Sequence, residues 1–139
     1  MNLHIHKENN NEHQAYIENK MFEYNMLHFP DDLKGRCEVV NLFLKDADNQ
    51  IYGGLVGEIC WNWLEIEYLF VNEELRKSGY GKALMLEAES LAREKKCEFI
   101  KVDTLSFQAL DFYKKLGFEV YGTLENAGSH THYYLKKDL

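Results

Sequence analysis

Proline is almost absent from this chain: Pro30 is the only one in 139 residues. There is no Pro-, Gly- or Ser-rich linker and no internal repeat, so residues 1–139 are read as a single domain. No apolar run approaches the roughly 18 residues needed to cross a bilayer. The segment Met1-Asn2-Leu3-His4-Ile5-His6 lacks the apolar core of a signal peptide. Cysteines number only three, and Cys37, Cys60 and Cys97 show no metal spacing. Each sits in an apolar segment, as expected of a reduced thiol in a cytoplasmic protein. Basic residues are outnumbered, 16 against 23 acidic, for a net charge of −7. That balance argues against nucleic acid or an anionic membrane as partner and suits a cationic acceptor such as an amine. His4-x-His6 and His130-x-His132 lack an evident third ligand, so no metal is expected.

What is present is a regular alternation of patterns. Leu3 to Lys7 alternates like a first strand, and residues 12–28 read as a helix through Ile17, Met21, Tyr24 and Leu27 or His28. Asn10 or Asn11 caps that helix, and Pro30 ends it. Cys37–Lys45 and Ile51–Trp61 form a hairpin about the turn Asp46-Ala47-Asp48-Asn49. Gly53, Gly54 and Gly57 in its second strand signal a bulge or a close backbone approach. Trp63–Val71 is a third strand of that region. Gly79–Lys95 is an amphipathic helix, with Leu84, Ala88, Leu91 and Ala92 inward and Glu87, Glu89, Arg93 and Glu94 in solvent. Glu98–Leu105 is a strand. Ser106 caps a short helix whose Ala109, Phe112, Tyr113 and Leu116 share a face, and Gly117 closes it in a Schellman motif. Phe118–Leu124 and His130–Lys136 are final strands. The order β-α-ββ-β-α-β-α-β-β implies an α/β (α+β mixed) fold: a mixed sheet of about seven strands with flanking helices.

The chemistry concentrates between residues 66 and 92. A strand ends at Leu69-Phe70-Val71, Arg76-Lys77-Ser78-Gly79-Tyr80-Gly81-Lys82 follows, and an amphipathic helix begins. The first amides of a helix are unpaired and carry a partial positive charge. Gly79 and Gly81 let the backbone turn tightly and approach a phosphate, while Arg76 and Lys77 add charge at the rim. The loop has no Gly-Lys-Ser/Thr, which excludes a Walker motif. It also lacks the third glycine and downstream acid of a dinucleotide fingerprint.

This arrangement resembles the GNAT family of N-acetyltransferases, whose signature Arg/Gln-x-x-Gly-x-Gly/Ala is matched by Arg76, Gly79 and Gly81. A later family motif is matched at Ala109, Tyr113, Lys115, Gly117 and Phe118, with Ser106 where the family usually has Asn. The resemblance implies acetyl-CoA as co-substrate. Backbone groups of Leu69, Phe70 and Val71 would hold the pantetheine arm, where that strand splays from its neighbour at a bulge. Amides of Lys77 to Lys82 would hold the pyrophosphate, and Ser106 stands where a further contact to the arm is made. An amine of a small molecule or peptide would attack the thioester directly. Tyr113 corresponds to the general acid, and Glu67 or Glu65, two apart on one strand face, would be the base. Tyr24, Asn25, Trp61, Trp63 and Tyr68 are candidates for the acceptor pocket, and family members are often dimers. Tyr113 as a core residue and the two glutamates as ordinary surface are the structural alternatives. A non-catalytic acyl-CoA-binding or sensing module, or an interaction domain with a structural glycine loop, are the functional ones.

Overall fold

The computed structural model describes residues 1–139, which divide into two compact units, Met1–Gly35 and Arg36–Leu139. The first holds α1 (Asn11–Met26). Asn10 caps it, its side chain accepting from the amides of Glu12 and His13 at 3.0 and 3.1 Å. No residue of α1 is buried, and the apolar Ile17, Met21 and Tyr24 are more than half exposed. Leu3–Lys7 is not a strand. It has no neighbouring strand to pair with, so alternation alone does not make it one.

The second unit is a sheet of six strands rather than about seven: β1 (Cys37–Lys45), β2 (Ile51–Cys60), β3 (Trp63–Val71), β4 (Phe99–Leu105), β5 (Glu119–Ala127) and β6 (His130–Asp138). Their order is β1-β2-β3-β4-β6-β5, antiparallel throughout except for the central β3–β4 pair. A crossover is what a parallel pair requires, and α2 (Tyr80–Glu94) provides it. Leu84, Met85, Ala88 and Ala92 of α2 join Leu55, Ile59, Leu64, Ile66, Ile100, Val102 and Leu135 in one buried core. Glu89 departs from its expected solvent position. It is half-buried between Lys137 at 2.9 Å and Arg93 at 3.0 Å. Burial pushes its carboxyl up, but these two cations outweigh burial and hold it below the usual range.

α3 (Leu110–Lys115) is shorter than expected, and Ser106 does not cap it. The chain enters it through Thr104 and Gln108 instead. The buried Thr104 hydroxyl accepts from the Ala109 amide at 3.3 Å, and the Gln108 carboxamide oxygen accepts from Leu105 at 2.7 Å. The exit follows the expected Schellman geometry: Gly117 has φ +96°, the Phe118 amide donates to Tyr113 at 3.1 Å, and the Gly117 amide donates to Lys114 at 3.0 Å. Phe118 then packs edge-on against Tyr113, their ring centres 5.7 Å apart. This local motif fixes Tyr113 in place.

The sheet is irregular at one point that matters. Val56 pairs with Tyr68, but Gly57 pairs with Ile66, so Glu67 is an extra residue in β3. The inward residues change parity there, from Leu64 and Ile66 to Leu69 and Val71. Gly57 faces the bulge, where an added Cβ would stand 2.6 Å from the Glu65 carbonyl oxygen. The close approach read from the glycines of β2 is therefore real. Gly57→Ala forces backbone apart at the bulge and should lower stability by about 2 kcal/mol, read from urea unfolding. An unchanged midpoint would mean that the bulge tolerates the methyl group.

Candidate active site

β3 and β4 are paired only from Trp63–Phe99 to Ile66–Val102. Beyond that level the bulge at Glu67 turns β3 away, and Leu69, Phe70 and Val71 keep only their β2 partners, Leu55, Gly54 and Gly53. One backbone edge of these three residues thus faces a gap between two central strands. Such an edge presents amides and carbonyls ready to pair with an extended amide-containing chain.

The same strand leads into the glycine loop. A short 3-10 turn, Glu73–Leu75, brings the chain to Arg76. Arg76 does not stand free at the rim. Its Nε donates to the Val71 carbonyl at 3.0 Å, and its guanidinium lies 5.6 Å from the Phe70 ring centre. It straps the loop to the end of β3. Lys77 and Gly79 then both adopt left-handed backbone, φ +66° and +88°. An added Cβ at Gly79 would touch nothing, so the conformation and not the space selects glycine there. Gly81 lies inside the first turn of α2 against Phe112, where a Cβ would be 3.4 Å from the ring.

These turns leave the amides from Lys77 to Lys82 without backbone partners, and α2 has no side-chain cap. The first turn of α2 carries no acidic residue. Ser78, Tyr80 and Lys82 share this stretch, which is a row of free donors at a positive helix end flanked by Lys77 and Lys82. The donor set fits a diphosphate group.

Tyr113 follows Phe112 on α3 and packs against Phe112 and Phe118. Its ring is 5% exposed, and its hydroxyl has no hydrogen-bond partner within the chain. Burial, with a smaller contribution from the negative charge of Asp103, pushes its pKa up to about 12. Tyr113 is at once a core residue and a phenol kept neutral. The Ser106 hydroxyl is engaged: it accepts from the Thr131 amide at 3.1 Å, and the Ser106 amide donates to the Thr131 carbonyl at 2.8 Å. It fastens the end of β4 to the β5–β6 hairpin and retains its own proton to donate.

The two glutamates differ. Glu65 lies 3.7 Å from Lys101 on the paired part of β3, whereas Glu67 is the exposed extra residue of the bulge, where the gap opens. Tyr68, beside it, is also exposed. Trp61 and Trp63 lie elsewhere. Trp63 stacks with Phe99 at the opposite end of β3 from the gap, and Trp61 tilts against Trp63. The sequence pointed to His132 only as half of a metal-like pair and did not point to Asp103; the two form a pair 3.1 Å apart on β4 and β6. Strand parity could have placed both on one face, but the pairing of β4 with β6 is not visible in spacing.

Comparison with known proteins agrees with this geometry. A model of the Acetyltransferase (GNAT) family matches residues 4–118. The crystal structure of an acetyltransferase from Bacillus cereus superposes with a TM-score of 0.91 at 38% identity, covering 99% of this chain and 98% of that one. Acetyltransferase Atu2258 of Agrobacterium fabrum is 33% identical over 113 residues, 81% of this chain and 80% of that protein. The blasticidin-S acetyltransferase of Streptomyces morookaense is 36% identical over 84 residues, 60% of this chain and 62% of its own length. The chain belongs to the GNAT family, and it is an acyltransferase.

The raised pKa of Tyr113 has a testable consequence. Folding favours its neutral form, so this stabilisation is complete below the ordinary tyrosine pKa of about 10 and is lost as pH rises through about 12. Two units correspond to about 3 kcal/mol. Cys60, pushed up from 9.0 to about 12 chiefly by burial, adds its own alkaline loss from a lower pH onward, and that loss is common to both proteins and cancels in their difference. The difference in unfolding free energy between wild type and Tyr113→Phe should therefore be constant up to pH 10 and then close by about 3 kcal/mol towards pH 12. Denaturant titrations at several alkaline pH values measure it, and parallel curves would show that the phenol titrates normally.

Proposed function

We propose that this chain moves the acetyl group of acetyl-CoA to a primary amine of a small cationic molecule or peptide by direct attack. The observation that carries the reading is the coincidence of two features on one strand: the opened edge of Leu69–Val71 and the unpaired amides of Lys77–Lys82. An extended pantetheine arm suits the first and a pyrophosphate the second. Arg76 shapes the loop, while Lys77, Ser78, Gly79, Tyr80, Gly81 and Lys82 supply donors. Ser106 offers its remaining hydroxyl proton to the arm. Bound acetyl-CoA supplies an activated acyl carbon with a thiolate leaving group, and a backbone N–H near the bulge would stabilise the developing oxygen charge.

Tyr113 gives a proton to the departing sulfur. A buried phenol that resists ionisation stays protonated at working pH and so remains an acid. On the acceptor side, Glu67 at the gap receives the ammonium group, directly or through water, ahead of Glu65, which is already engaged by Lys101. The acidic surface and the named activity of the Streptomyces relative both favour a cationic acceptor, antibiotics among the candidates. A cytoplasmic location with reduced thiols belongs to the same reading.

Acetyl-CoA at a hundredfold excess over its Kd should stabilise the fold by about 2.7 kcal/mol, seen as a rise in Tm. Thiol release should then follow with at least one member of a panel of blasticidin S, aminoglycosides, polyamines and peptide N-termini. A Tm that ignores acetyl-CoA would refute the donor site. In the same assay Tyr113→Phe should lower kcat by about 10²-fold while the acetyl-CoA shift persists. A wild-type rate in that variant would remove Tyr113 from the mechanism.

A further inference from the structure

The acceptor side holds a second set of polar groups that the reading above does not use. β3–β4 pairing ends at Ile66 and Val102, so the next residue on each strand borders the gap: Glu67 on β3 and Asp103 on β4. Asp103 alternates with the buried Val102 and Thr104, which puts it on the sheet face away from the core. Its register partner on β6 is Tyr134, and His132 lies two residues along on the same face. The three are joined in a chain. Asp103 Oδ1 lies 3.1 Å from His132 Nε2, and the Tyr134 hydroxyl lies 3.3 Å from His132 Nδ1. The imidazole and phenol rings also pack at 4.5 Å between centres.

Both ring nitrogens are thereby assigned. Opposite a carboxylate, Nε2 carries the hydrogen and donates to Asp103. Nδ1 is then left with its lone pair, accepting from the Tyr134 hydroxyl. This is a carboxylate–imidazole–phenol sequence with its open end at Tyr134. The His132 side chain is 25% exposed, and its Nδ1 has the Tyr134 hydroxyl as its hydrogen-bond partner. On the same face, Phe99, Lys101, Tyr121 and Lys136 line a depression of about 390 Å³ that lies along the strands away from the gap.

We propose that Asp103, His132 and Tyr134 form the relay that removes the proton from the attacking amine. The idea rests on the acetyl-transfer reading and gives that reading its proton acceptor. In the step, an N–H bond of the acceptor ammonium breaks and an O–H bond forms at Tyr134. At the same time the Tyr134 hydroxyl proton passes to His132 Nδ1. The products are a neutral amine and an imidazolium held by the Asp103 carboxylate, so charge is conserved. Glu67, across the gap, attracts and aims the ammonium but need not keep its proton. Imidazole is better suited to keep it, because its ionisation lies nearest neutral pH among the side chains. Tyr134 is the residue that touches the acceptor, and Asp103 and His132 are positioning residues acting through it.

Charged and titratable groups face the imidazole from four strands. β4 presents Asp103 and, a level further off, Lys101. β6 presents Tyr134, His130 and Lys136 on the same face, with His130 occupied by an edge contact to Phe107 at 4.7 Å. β5 opposes His132 with Leu124, and its charge on this face is Glu119, beside Lys136. β3 contributes Glu67 across the gap.

The test uses the full chain, acetyl-CoA and blasticidin S, with spermidine as a second amine. His132→Gln should lower kcat/KM for the amine by about 10²-fold at pH 7, and the deficit should shrink as pH rises and free amine becomes abundant. Asp103→Asn should act in the same direction, because it unsettles the tautomer. The acetyl-CoA Tm shift and the KM for acetyl-CoA should match wild type in both. A deficit that is constant from pH 6 to 10, or one accompanied by equal loss of acetyl-CoA binding, would reduce the three residues to a tie between β4 and β6 and overturn the relay. A wild type with no acetyl-CoA Tm shift would count against the donor site itself and take the relay with it. Wild-type turnover with an unaltered pH profile in His132→Gln would sink the relay alone.

Discussion

The site depends on one misfit in the sheet. Glu67 has no counterpart on β2, and the strand that carries it must turn. Before the bulge β3 is an ordinary inner strand, bonded on both sides. After it, the backbone of Leu69–Val71 is bonded on one side only. Central strands of a parallel pair rarely leave such groups unmet, since an unmade backbone bond costs about 1–3 kcal/mol when it is also shut away from water. The cost is bearable here because the gap is open. Gly57 makes the misfit possible, for nothing larger than hydrogen fits opposite the displaced carbonyl. The opened strand, the loop and the placing of Glu67 and Asp103 on either side of the gap all follow from that contact.

In the proposed reaction the two halves are held by different devices. The donor side is backbone: an open strand edge and a row of amides, neither of which depends strongly on side-chain identity. The acceptor side is made of side chains from β3, β4 and β6, brought together by strand order rather than by sequence proximity. That division explains why the loop reads so plainly in the chain while the acceptor does not. Tyr113 is fixed by its helix exit and feels the charge of Asp103.

What the sequence revealed follows the range of the interactions involved. The Schellman exit at Gly117 was legible because every partner lies within six residues. So were Asn10 as a cap and the boundaries of β1 and β3. The glycines of β2 announced a close approach, but not that its partner was the Glu65 carbonyl or that the extra residue was Glu67. Leu3–Lys7 misled because alternation without a partner strand is not a strand. Ser106 misled because its hydroxyl accepts from the Thr131 amide, 25 residues away, while α3 has no side-chain cap and Thr104 and Gln108 bond the turn that leads into it. Trp61 and Trp63 lie at the start of β3, and a strand of nine residues separates them widely from Leu69–Val71, a distance that spacing in the chain does not convey. The Asp103–His132–Tyr134 chain needed the β4–β6 register, which no local pattern encodes.

The glycine loop carries a last consequence. Its left-handed residues, Lys77 and Gly79, and the strap from Arg76 to Val71 hold the amides outward in the folded chain itself. An anion arriving there meets a cradle already in shape, so little conformational entropy is surrendered on binding. That entropy was surrendered at folding instead, along with the strain of a non-glycine residue at φ +66°. The loop is thus preorganised at the expense of native stability. Substitutions that relax it would make a sturdier protein and a poorer receptor for phosphate.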